Sequence, residues 1–346
     1  NCLSFNNIDI VMIIDRVNNF DLIRLFAAFQ VAYHHIFGYL SIDSIFLKQI
    51  DYILNLFPGV PIFFTISGFL IFMSWHRTHN VKQYVRNRCL RLLPALWICF
   101  FLTIILLLLL KVIKFEELFD FKMLLWYISQ LTFLQVWTPD ILKEWGMGVP
   151  NPSLQTISIE IQWYILAPCL FFLLQKLNNV SKVVVFVVLI LMSCLLCVEG
   201  ESFASILFRL SIFNNLFYFI AGAMIYYFWN NVKVCLEGKF IIYLIIYVFI
   251  CLLPIDNMFV KILSKFLLAA VTISAAFSYK TISNVLLRSH DISYGMYIYN
   301  MLVVNVFISL NFRNDVKYLF LALFLNIVLA FISWFLIERK FLRLKK

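Results

Sequence analysis

FDLIRLFAAFQVAYHHIFGYL, residues 20–40, is apolar enough to cross a bilayer, yet it holds an arginine, Arg24, and a histidine, His35. An Arg at mid-span costs roughly 2.5–3.5 kcal/mol on insertion scales, so an ionisable group kept there ordinarily faces the protein interior. The two residues are eleven apart. At about 100° and 1.5 Å per residue they share one helix face, about 16 Å apart along the axis. Asp21, three residues before Arg24, is within reach for an ion pair, and Ala28 and Val31 keep that face narrow. His34 points about 100° away from His35. A plainer reading stands beside this one: a lone His in an apolar helix is often a hydrogen-bonded packing residue, and an Arg near a helix end snorkels.

Composition places the whole chain in lipid. Of 346 residues, 63% are hydrophobic and 13% charged, and mean hydropathy is +0.93; soluble domains average about 25% charged. Long runs such as IILLLLL (residues 104–110) lack the alternation of a membrane β-barrel. The expected fold is all-α, a single polytopic helical bundle of about ten spans: 20–40, 59–75, 92–110, 155–175, 183–198, 206–229, 240–253, 262–279, 292–310 and 318–337. No internal repeat, linker or second domain is visible.

The net charge of +10 is read as topology rather than as a nucleic-acid surface. The apolar stretch 122–137 decides orientation. If it does not cross and the N-terminus (1–19) is cytoplasmic, 17 Lys and Arg face the cytoplasm and 8 face outward; if it crosses, the figures become 10 and 15. The positive-inside rule therefore favours cytoplasmic termini, with 111–154 as an outer-face segment containing a re-entrant or interfacial helix and the acidic EGES (199–202) also outside. Residues 1–11 lack a basic n-region and a small-residue cleavage site, which makes Met12 a candidate start and a removed signal peptide unexpected.

Eight cysteines imply no disulfide framework, since most lie in or beside apolar runs. Cys194 and Cys197 make a CxxC without a second pair. His76 and His79 in HRTH have no acidic or thiol neighbours in sequence, so no metal site is expected.

Four further stretches hold polar groups at membrane depth. GVPIFFTISGFLIF (59–72) contains Ser67 and Gly68, which permit close helix approach and a hydrogen bond. YVRNRCLRLLPALW (84–97) carries Arg86, Arg88 and Arg91 just before Pro94; they are either topogenic charges or a fork of donors for phosphate groups. TISIEIQWYILAP (156–168) buries Glu160, a functional candidate whose partner is expected to be Arg24, His35 or a sugar hydroxyl. ISYGMYIYN (292–300) and IERKF (337–341) complete the set.

Together these motifs resemble the acyltransferase-3 family of membrane acyltransferases over nearly the whole chain. Arg24, ten intervening residues and His35 look like its arginine–histidine element; FFTISGFLI (63–71) is close to its FFxISGFLI; NRCLRLLPALW (87–97) is similar to its RRxxRIxPxxW; TISIEIQWYILAP looks like its SLSVExxFYxxxP; and the last two stretches are similar to its ISYxxYLxH and IExPF endings. The chain departs from these patterns at Asn87, Gln155, Asn300 and Lys340.

The resemblance implies a bacterial inner-membrane enzyme that O-acylates a cell-surface glycan such as O-antigen or exopolysaccharide. The acyl group, most simply acetyl, comes from cytoplasmic acyl-CoA, the donor substrate, and no metal takes part. On that basis neutral His35 is the general base, an imidazole with an ordinary pKa of about 6.5 suiting the role. Arg24, oriented by Asp21, stabilises an oxyanion or holds the donor; Arg88 and Arg91, with Arg86, Ser67 and Gly68 nearby, bind coenzyme A; Glu160, supported by Ser158, positions the acceptor or the histidine. A covalent acyl-histidine relay is the alternative route. The expected partners are acyl-CoA, a lipid-linked or surface glycan and membrane lipid, with oligomeric state open. A carrier or flippase for a lipid-linked glycan is the competing class, since it also keeps charge within spans.

Overall fold

The structure is a computed structural model and describes residues 18–78, 80–132, 137–195, 211–213, 215–255, 257–288 and 290–345. Residues 1–17 with Met12, His79, Cys197 and EGES lie outside the described residues. Helices follow in the order α1 (Phe20–Tyr39), α2 (Ile45–Asn55), α3 (Gly59–Thr78), α4 (Val81–Leu109), α5 (Phe121–Leu131), α6 (Gln155–Gln175), α7 (Asn179–Leu195), α8 (Leu216–Tyr227), α9 (Trp229–Leu236), α10 (Phe240–Leu252), α11 (Met258–Phe277), α12 (Ile282–Leu287), α13 (Ser293–Ser309), α14 (Val316–Ser333) and α15 (Arg339–Leu342). The described residues contain no strand, as the sequence leads one to expect.

Among the described residues, five helical stretches are long and apolar enough to cross a membrane: Ile45–Thr78, Val81–Leu109, Pro152–Gln175, Met258–Phe277 and Val316–Leu342; the pair α9–α10, bent by 80°, makes a sixth if taken as one span. The remaining expected spans are shorter or more polar. α13 has 17 residues and α8 has 12, while residues 206–210 of that expected span lie outside the described residues. α7 is an apolar helix slightly too short by itself. α1 is 20 residues long but includes Asp21, Arg24, Gln30, His34 and His35, which is the physical cost of housing a site in a span. α5 has only 11 residues, about 16 Å of rise against a hydrocarbon core of about 30 Å.

The core lies around α3 and α13. Thirteen of the 17 residues of α13 are buried, whereas α10 buries only Tyr247 and presents Ile241, Ile245 and Phe249 outward, as a lipid-facing helix must. α3 and α8 cross at glycines: a Cβ on Gly68 would strike the Phe219 carbonyl, and one on Gly222 the Thr65 carbonyl. Small residues allow this close approach where lipid supplies no hydrophobic drive. Beside the crossing, Phe69 packs against Phe20, Tyr226, Trp229 and Phe277, with ring centroids 5.4–5.7 Å away.

Polar clamps fix α1 at its start and at its middle. At its start Asn19 donates to the carbonyls of Ser278 at 2.7 Å and Tyr279 at 3.1 Å and accepts from the Ser283 amide at 2.9 Å. Further along, buried Gln30 donates to Asn55 and accepts from the Gly59 amide, each at 2.7 Å. The chain before α6 is stapled to α13: Asn305 accepts from the Met147 amide at 2.9 Å and donates to the Val149 and Pro150 carbonyls at 3.0 and 2.8 Å. Asn151 donates to the Ile298 carbonyl at 2.7 Å. Gly146, at φ +58°, lies where a side chain would collide with Asn305.

Candidate active site

Residues from five separate stretches converge on one cavity of about 80 Å³. Arg24 from α1, Ser67 from α3, Arg88 and Arg91 from α4, and Glu160 from α6 all line it, joined by Tyr164, Thr156, Tyr294 and Tyr297. This is the set that the intramembrane charges single out, now in contact with a common space.

Its charges are paired. Arg24 donates to Asp21 at 3.0 Å, and Asp21 is half exposed. Asp291, just before α13, accepts from Arg91 at 2.8 Å and lies 3.9 Å from Arg24; its other oxygen takes the Ser293 hydroxyl. One buried carboxylate thus holds two guanidiniums at the cavity wall, the arrangement that makes burial of the cations tolerable.

Arg88 is held differently. Its guanidinium lies over the rings of Tyr84 at 5.5 Å and Tyr164 at 5.2 Å, and its Nε is buried without a hydrogen-bond partner among the described residues. The tyrosine arrangement follows from the sequence. Pro168 has no amide hydrogen, so the Tyr164 carbonyl four residues earlier loses its helical donor, and the Tyr84 hydroxyl donates to that carbonyl at 3.1 Å. A proline inside α6 thereby ties α6 to α4 beside Arg88. Along α6 the Tyr164 hydroxyl donates to Glu160 one turn earlier at 2.5 Å, and Ser67 Oγ of α3 lies 3.5 Å from the same carboxylate oxygen.

The two adjacent histidines separate. His34 is exposed and its Nδ1 lies 3.0 Å from Asp51 of α2. His35 turns to α13, where its Nδ1 lies 2.9 Å from Asn300 Oδ1. Asn300 is three residues beyond the cavity-lining Tyr297, so His35 stands one helical turn past that ring rather than in the cavity lining itself. Thr156 and Tyr297 are joined hydroxyl to hydroxyl at 2.6 Å, and Phe63 packs edge-on to Tyr297 at 5.4 Å.

Besides His35, four expected site residues lie outside the cavity lining. Gly68 belongs to the α3–α8 crossing, Arg86 is on the exposed side of α4, Ser158 is buried outside the cavity lining, and Asp21 reaches the site only through Arg24. His76 lies 2.7 Å from the Tyr226 hydroxyl and packs on Phe171. Sequence reasoning missed Asp291, Tyr164 and Asn300 as partners. The last two sit inside quoted motifs, which is the signal that was available; Asp291 immediately precedes ISYGMYIYN.

Comparison with known proteins identifies the family. The acyltransferase-3 family model, described as an acyltransferase domain, matches residues 17–338. A nodulation protein 10 of Rhizobium leguminosarum bv. viciae is 27% identical over 358 residues, covering 95% of this chain and 94% of its own length. An O-acetyl transferase of Shigella phage Sf6 is 26% identical over 341 residues, covering 94% of this chain and 96% of its own length. No solved structure matches the chain. With the match running from the start of α1 into the π-helical turn that follows α14, the chain, a multi-pass membrane protein, belongs to the acyltransferase-3 family.

Proposed function

We propose that this protein is an acyl-CoA-dependent O-acyltransferase of the bacterial inner membrane, moving an acetyl group from cytoplasmic acetyl-CoA to a hydroxyl of a cell-surface glycan such as O-antigen or exopolysaccharide. The observation that carries the reading is the convergence of Arg24, Arg88, Arg91, Glu160 and Ser67 on one intramembrane cavity a helical turn from His35. The name of the phage relative, an O-acetyl transferase, supports the choice of group and of oxygen as acceptor. In the proposed topology ten spans leave both termini cytoplasmic and place 111–154 outside, so donor and acceptor meet from opposite faces.

In the reaction His35, as neutral imidazole, takes the acceptor hydroxyl proton while that oxygen attacks the thioester carbonyl. Arg24, about 16 Å along α1 from His35 and bonded to Asp21, holds the donor rather than the oxyanion. Collapse of the tetrahedral oxyanion breaks the C–S bond, and the imidazolium returns the proton to the departing thiolate. The products are the O-acetyl ester and free coenzyme A. Arg88, whose guanidinium is not committed to a carboxylate, binds a phosphate of the donor, with Glu160 orienting the acceptor.

The test pairs glycan mass analysis with histidine variants. Deletion removes the acetyl increment from the surface glycan, wild type and His34→Ala restore it, and His35→Ala at equal membrane abundance does not. Full acetylation by His35→Ala would end the assignment. Isolated membranes that consume no acetyl-CoA in the presence of glycan acceptor would instead point to a carrier or flippase.

A further inference from the structure

We infer that Asn300 is a positioning residue that holds His35 in the tautomer protonated at Nδ1, leaving Nε2 as the basic nitrogen; this rests on the reading of His35 as general base. Asn300 is fully buried. Its Nδ2 faces the Tyr297 carbonyl, to which it donates, and lies 3.5 Å from the hydroxyl of buried Ser153.

A backbone carbonyl accepts and cannot donate, so the NH2 end of the amide must be the end that meets it. That leaves Oδ1, an acceptor only, 2.9 Å from His35 Nδ1. The ring nitrogen must then supply the hydrogen, because two lone pairs at that distance repel. A neutral imidazole with its hydrogen on Nδ1 has its lone pair on Nε2. Rotating the amide would leave two oxygens face to face at Tyr297 and is excluded by the same argument.

The contrast with the neighbouring ring makes the point chemical. His34 meets a carboxylate, Asp51; His35 meets an uncharged amide, which orients the ring through a single acceptor. The other rings beside His35 are His34 at 6.3 Å and Tyr39 at 5.7 Å, both on α1.

The experiment uses full-length protein labelled with nitrogen-15 histidine in lipid nanodiscs. There are five histidines in the chain, and the His35 resonances are assigned by their loss in His35→Gln. Wild type should show His35 as a single neutral tautomer with hydrogen on Nδ1, and Asn300→Leu, of nearly the same shape, should show both tautomers. Acetyl transfer in Asn300→Leu should fall by about 10- to 100-fold, the usual loss when the partner that orients an imidazole is removed. Asn300→His, which keeps a ring-nitrogen acceptor, should recover most of it.

His35 protonated at Nε2 in wild type, or undiminished transfer by Asn300→Leu, overturns the inference. The tautomer measurement needs no turnover, so it decides the Asn300 contact even if His35→Ala shows the general-base reading to be mistaken.

Discussion

Three arginines of the site differ in what holds them, and the difference predicts distinct mutant behaviour. Arg91 is bound to Asp291, which also neutralises Arg24. Asp291→Ala leaves two partly buried guanidiniums without that carboxylate and should cost on the order of 3 kcal/mol, seen as a lower melting temperature in detergent and lower membrane abundance. Arg88 rests between two tyrosine rings. Arg88→Ala should therefore lose only about 0.5–2 kcal/mol of stability, while weakening acetyl-CoA binding in a direct binding assay. Equal loss of fold stability in both variants would remove the distinction. Arg24, Arg88, Arg91 and Glu160, which line the cavity, were legible as candidates because charge at membrane depth is costly. Asp291 was not, since an acid at the edge of an apolar run looks like an ordinary loop residue until α13 is laid against α1 and α4.

Helix crossings and corners carry the next set of consequences. The α3–α8 contact is set by Gly68 and Gly222, each against the other helix's backbone. Backbone cannot rotate away as a side chain can, so Gly68→Ala or Gly222→Ala must separate the helices, at a cost of about 1–3 kcal/mol. Thermal unfolding of the purified variants checks this, and an unchanged midpoint would show that the crossing tolerates a methyl group.

At the α9–α10 corner, where Gly238 has φ +74°, Glu237 accepts from Lys280 and lies 3.5 Å from Lys233. The Lys280 hydrogen bond holds the Glu237 carboxyl below its ordinary value. A lowered pKa stabilises the fold above the unfolded-state pKa, about 4.3 for Glu, and that contribution is lost as pH falls through the folded value. The pair is partly exposed, so Glu237→Gln should cost under about 1 kcal/mol at neutral pH. The difference from wild type should vanish in acid, as melting curves at the two pH values would report.

Across the whole molecule, the chain leading into α6 is pinned to the same helix that holds His35. Asn305 contributes three hydrogen bonds to residues 147–150, and Asn300 joins His35 to Ser153 at the start of α6. Asn305→Ala leaves buried carbonyls and an amide unpaired, costing about 1–3 kcal/mol locally. Protease added to the outer face of sealed vesicles should then cut near residues 146–150 faster than in wild type, while acetyl-CoA binding stays unchanged. A reporter fused after Lys143 is expected to read as outside the cytoplasm, and a cytoplasmic signal would reverse every loop that follows.

Much of this protein was determined by sequence alone: its place in lipid, its helical class, the shared face of Arg24 and His35, and the arginines and glutamate that line the candidate site. These follow from local quantities, the insertion cost of each side chain and the angular step of a helix, which depend on neighbours a few residues away. Only the tertiary structure decided that Asp291 is the counter-charge, that His35 and not His34 meets Asn300, and that the helix Gly68 approaches is α8. Those pairings join positions 200 and 265 residues apart in the case of Arg91–Asp291 and His35–Asn300. Helical periodicity says which way a side chain points, but what it meets depends on which helix packs there.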